Sequence, residues 1–153
     1  MKADDRSLDQ DSIEDHIAKL KSTDRAVLHD SIRALGRLRA SEAVRPLGIL
    51  LGRTDNSNTR NMIAKTLGKI GDRGAVPILI KHYNVIAPST FSATLVRLGL
   101  FADVFENKND LASKRERRKM MIAIRRATPE LIQLIEQDRL TADEIRRVLP
   151  PTM

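Results

Sequence analysis

Cysteine and tryptophan are absent from this chain of 153 residues. Without cysteine there is no disulfide framework and no cysteine-based zinc or thiol site, and no oxidising compartment is implied. Aromatic residues make up 3% and reduce to Tyr83, Phe91, Phe101 and Phe105, too few to interleave with cations as a base-stacking platform. No apolar stretch reaches the length of a membrane span, and the opening MKADDRSLDQDS lacks the apolar run of a signal peptide, so a soluble cytoplasmic protein is expected. The alternation of β-branched residues that marks strands is missing as well.

What the chain does have is positive charge, with a net charge of +7 that is unevenly spread. Residues 1–20 carry a net −3, whereas 21–53 carry +4, 54–85 carry +3 and 113–127 carry +6. An acidic leader precedes a basic body. Superposed on the charge is a repeat: SIRALGRLRASEAVRPLGILL (31–51) returns as IAKTLGKIGDRGAVPILIKHY (63–83), and more faintly as SATLVRLGLFADVF (92–105). Gly36, Gly68 and Gly99 mark it, spaced by 32 and then 31 residues, the length of one helix-turn-helix unit with its connection.

Inside each unit the apolar residues fall at helical spacing. Val27, Ser31, Ala34, Leu35 and Leu38 line one face, and Thr59, Ile63, Thr66, Leu67 and Ile70 repeat it. Turn chemistry sets the ends: Ser22-Thr23-Asp24 and Asp55-Asn56-Ser57-Asn58 supply N-caps, Ser41 is expected to cap the helix that holds Pro46, and Gly71 and Gly74 punctuate the next turn. These signals predict helices over 12–21, 24–39, 42–52, 57–70, 74–84 and 88–99, with a short piece to about 106.

The strings Ala34-Leu35-Gly36 and Ala75-Val76-Pro77-Ile78-Leu79, with the variant Ala43-Val44-Arg45-Pro46-Leu47, resemble the bacterial and archaeal HEAT-like repeats, the group that also includes the phycobilin lyase subunits. The resemblance covers roughly residues 12 to 105. It implies an all-α fold, a short right-handed α-solenoid of about three HEAT-like helical hairpins, with second helices lining a concave side. The Asp and Arg that such repeats carry near the start of the second helix are only partly kept, with Asp24 and Leu28 in the first unit, Asn56 and Arg60 in the second, and Phe91 at the Arg position of the third. As domain organisation we expect a single domain over 1–153, comprising a flexible acidic leader at 1–11, repeats at 12–106 and C-terminal helices at 107–149 that cap the last core face.

In that tail, DLASKRERRKMMIAIRRA (110–127) opens with the capping box Ser113-x-x-Glu116 and turns apolar through Met120, Met121, Ile122 and Ile124, expected as core. Thr128-Pro129 is expected to start a new helix, and Thr141-x-x-Glu144 is a second capping box before the chain reaches Pro150-Pro151.

Catalytic chemistry finds little material. His16, His29 and His82 form no His-x-x-x-His or His-Glu pairing that would set two ligands on one helix face, so the metal activity of the HEAT-like deoxyhypusine hydroxylases is not implied. Gly68, Gly71 and Gly74 follow a helix and lack the Lys-Ser/Thr end of a phosphate loop. The carboxylates Asp103 and Glu106, or Glu130 and Asp138, stand in segments without other candidate chemistry. No catalytic residue, metal or cofactor is therefore assigned.

The informative feature is a row of cations. Arg25, His29, Arg33 and Arg37 follow at four-residue steps on one helix face, and 32 residues later the row reads Ser57, Asn61, Lys65 and Lys69 before Ser92, Val96 and Leu100 break it. Stacked hairpins would bring Arg33 beside Lys65 and Arg37 beside Lys69. Two readings stand side by side: a solubilising helix surface, or a binding face for an acidic partner. On the second reading Arg25, His29, Arg33, Arg37, Arg60, Lys65 and Lys69 bind a protein partner with an acidic segment, and Lys114, Arg115, Arg117, Arg118 and Lys119 form a second basic patch. Binding to a nucleic-acid backbone, or service as an accessory subunit of a lyase-type enzyme, are the alternatives.

Overall fold

Caps and prolines set where the helices begin. In the computed structural model, which describes residues 12–98, 114–139 and 141–148, every regular element is helical. The helices are α1 (12–19), α2 (Arg25–Arg37), α3 (Val44–Arg53), α4 (Ser57–Ile70), α5 (Ala75–Lys81), α6 (Pro88–Arg97), α7 (Lys114–Glu136) and α8 (Ala142–Val148). Single 3-10 turns at Ser41–Ala43 and Tyr83–Val85 precede α3 and α6. Among the described residues no helix is long and apolar enough to cross a membrane.

Asp24 starts α2, its Oδ1 accepting from the amides of Ala26 at 2.9 Å and Val27 at 3.4 Å. Asn56 starts α4 in the same way, with Oδ1 accepting from the Thr59 amide at 2.9 Å. Ser41 does not cap α3. The 3-10 turn supplies the acceptors instead: the Ala43 amide donates to Ala40 O and the Val44 amide to Ser41 O, so these early donors need no side chain. Pro46 and Pro77 both sit in the first turn of their helices, where a missing N–H removes no intrahelical bond. Gly71 closes α4 in the left-handed conformation at φ 76°, which glycine adopts without strain.

The chain divides into two compact units, at 1–75 and 76–153. In the first, α2 packs against α4 and α3 against α4. Ile32, Leu35, Leu47, Leu51, Ile63 and Leu67 are at most 1% exposed there, each contributing roughly 1.5–3 kcal/mol by leaving water. Val27 and Leu38, expected on the core face, are only half-buried, and Ile32 takes the central position.

In the second unit α7 packs against α6 and α8. The expected break at Thr128-Pro129 does not occur, because α7 runs through Pro129 as one helix of 23 residues. The reason is a continuous apolar stripe: Ile124, Ala127, Leu131 and Leu134, at three- and four-residue steps, are all buried and span the proline, which is itself exposed. Burying Leu131 and Leu134 beyond it outweighs an interior proline's cost of about 3 kcal/mol. Ile122, expected in the core, is 48% exposed on the other side of the stripe. Thr141 Oγ1 does accept from the Glu144 amide at 3.3 Å. The reciprocal half of that capping box is not made, since the Thr141 amide donates to Arg139 O and the Glu144 carboxylate pairs with Arg139 and Arg147. The leader, the piece to 106, Ser113 and the end of the chain lie outside the described residues.

Candidate functional site

The two N-caps, Asp24 and Asn56, stand 32 residues apart, the same interval that separates Arg33 from Lys65 and Arg37 from Lys69. Each pair therefore occupies the same helical phase, nine and thirteen residues past its cap.

Two contacts fix how α2 and α4 lie together. Near their starts, His29 Nε2 stands 2.9 Å from Thr59 Oγ1. Two turns on, a β-carbon at Gly36 would lie 3.3 Å from Thr66 Cγ2 and 3.6 Å from Lys69 Cδ. The pairs His29–Thr59 and Gly36–Thr66 are each 30 apart in sequence, so the helices run parallel with a constant offset. Gly36 is the point of close approach, and its missing side chain leaves room for the Lys69 stem against α2.

Parallel helices with matched phase put their exposed rows on one side. Arg33, Arg37, Lys65 and Lys69 are all exposed, while the opposite faces bury Ile32, Leu35, Ile63 and Leu67. Arg33 has a neighbour in Asp30 at 3.5 Å, but both side chains are more than half exposed and such a pair is worth only about 0–1 kcal/mol. Arg25 is exposed at the start of α2. Among the described residues no ion pair engages Arg25, Arg37, Lys65 or Lys69.

His29 and Arg60 hold intramolecular posts instead. The Thr59 hydroxyl donates to Asn56 Oδ1 at 3.2 Å, so it accepts from His29, and the imidazole carries a proton on Nε2. The result is a short relay, Asn56 to Thr59 to His29, that ties the α4 cap to α2. Arg60 donates from Nε to Thr54 O at 2.8 Å and reaches Asp55 at 3.7 Å, closing the turn between α3 and α4. The four-residue spacing did not distinguish His29 from the exposed cations, and its signal was the Thr at 59, two positions offset from the charge row, whereas Arg60 stands one position off that row, beside Asn61.

The second cluster lies at the start of α7. Arg118 is exposed there, and the side chains of Lys114, Arg115, Arg117 and Lys119 lie outside the described residues, as do those of Ser92, Val96 and Leu100 in the third unit. Asp15 has its carboxyl held below the usual range by a hydrogen bond to Lys19 at 2.7 Å, opposed by desolvation; this is an exposed pair one helical turn apart. Among the described residues no three His, Cys, Asp or Glu side chains converge as a metal site.

Hairpins repeating at 32 residues, with second helices packed in parallel, define an all-α helical-repeat protein. The family model for HEAT repeats matches residues 13–89, from the first turns of α1 into α6, which is half of the chain. The chain belongs to the HEAT-repeat family. No curated protein and no solved structure matches it, and the match to HEAT repeats does not confirm the phycobilin-lyase type. HEAT repeats generally mediate protein–protein interaction and are generally non-catalytic.

Proposed function

We propose that this protein is a non-catalytic interaction module, an adaptor or regulator in the cytoplasm, whose second-helix face binds an acidic segment of a protein partner. The observation that carries the reading is the set Arg33, Arg37, Lys65 and Lys69, exposed on parallel helices and, among the described residues, paired only through Arg33 with Asp30. The two helices fix the backbone spacing of the four side chains, so that only the side chains themselves are ordered on binding, at about 0.5–1.5 kcal/mol each. Several such cations steer an acidic chain and fix its register.

Phe, Tyr and Trp first occur in the sequence at Tyr83, so the unit that carries this face has none of the three rings that best stack a base. That favours a polypeptide over a single-stranded nucleic acid. The test is zero-length carbodiimide crosslinking, which joins partner carboxylates to Lys65 and Lys69, followed by mass spectrometry. Acidic peptides attached at these lysines, lost in Arg33→Glu/Lys65→Glu with helical circular dichroism retained, support the reading. Capture unchanged in that variant refutes it. A nucleic-acid ligand would announce itself by log affinity falling against log salt with a slope of roughly −3.6, the counterion-release value for four neutralised phosphates on duplex DNA.

A further inference from the structure

Between α1, the first turns of α2 and α3 lies a groove of about 740 Å³, built from first-unit residues alone. Its floor is apolar, with Ile17, Leu20, Leu28 and Leu50, and Ile49 stands at its edge 54% exposed. Among the described residues Ile49 and Ile122 are the exposed large hydrophobics. Lys21, Arg45 and Arg53 also line the groove, one from the turn after α1 and two from α3, and among the described residues its lining contains no Asp or Glu. No ion pair among the described residues neutralises these three. None of them belongs to the cation row of α2 and α4.

We propose that this groove is a second docking site, which takes a short acidic amphipathic segment of another protein. Charge complementarity selects the occupant: an apolar floor ringed by three cations favours a ligand that brings apolar side chains and carboxylates together. The volume is in the range that accepts several side chains, where a lone exposed isoleucine would need no explanation. Apolar burial supplies affinity, and the three cations repel basic amphipathic chains and favour acidic ones over neutral ones.

The probe is a fluorescein-labelled synthetic peptide of about twelve residues, with leucines at helical spacing and glutamates between them, followed by fluorescence anisotropy with the full chain. Saturable binding is expected, weakened about tenfold or more in Ile49→Asp and in Arg45→Glu/Arg53→Glu, and unchanged in Arg33→Glu/Lys65→Glu. That last variant separates this site from the second-helix face, so either can fail alone. Ile49, Arg45 and Arg53 are exposed, and circular dichroism checks that the variants keep their helices. Three results overturn the proposal: no binding to the wild-type chain, equal binding of the Ile49→Asp variant, or equal binding of a peptide with lysine in place of glutamate. Concentration-dependent self-association that Ile49→Asp abolishes, without peptide binding, assigns the groove to a second copy and also overturns it.

Discussion

Replacing Thr59 by valine keeps the shape of a side chain that is 2% exposed while deleting the hydroxyl that joins Asn56 to His29. Two hydrogen bonds disappear, each worth about 0.5–1.5 kcal/mol net. The valine methyl returns up to about 0.8 kcal/mol of apolar burial. His29 is only half-buried, so its orphaned Nε2–H reaches water and the penalty stays at the low end. The Asn56 cap persists through its bond from the Thr59 amide. The expected loss is thus about 1 kcal/mol, or a fall of roughly 2–4 °C in Tm for a chain of this size. The sharper quantity is the coupling to His29, since His29→Ala severs the same link from the α2 side. Urea unfolding followed by circular dichroism on Thr59→Val, His29→Ala and the double variant yields that term, expected at about 0.5–1.5 kcal/mol. Losses that add to within about 0.3 kcal/mol would mean that the relay does not tie α4 to α2, and the parallel register would lose one of its two supports.

Gly71→Ala is expected to cost about 1–2 kcal/mol although a β-carbon there meets nothing within 4 Å, because the penalty is the left-handed backbone at φ 76° and not a clash; thermal unfolding unchanged from wild type would contradict this. For Arg60, substitution by alanine should cost about 1 kcal/mol by freeing Thr54 O, and lysine should recover little, since its ammonium cannot reproduce the guanidinium Nε geometry; recovery by lysine in chemical denaturation would reduce the contact with Asp55 and Thr54 to simple charge.

Much of the repeat was legible in the residues themselves. The 32-residue interval, the Asp24 and Asn56 caps, the first-turn prolines and Gly71 are local signals that act within a few residues of where they sit, and α4 occupies the interval the spacing predicts. The exposed phase of Arg33, Arg37, Lys65 and Lys69 followed as well, because helical periodicity alone separates them from Ile63 and Leu67. Tertiary structure decided the rest. His29 has the same four-residue spacing as the exposed cations, and only the neighbouring helix turns it into a tie, whereas Arg60 finds its partners in the turn just before its own helix. Pro129 carries a local helix-start signal that the stripe from Ile124 to Leu134 overrides, a balance set by packing that no window of sequence contains. Lys21 lies more than twenty residues before Arg45 and Arg53 of α3, and it joins them around one groove only because α1, α2 and α3 fold together. Local propensity acts between residues close in sequence, whereas apolar burial and ion proximity act between residues close in space, and the second kind of neighbour exists only after the chain has folded.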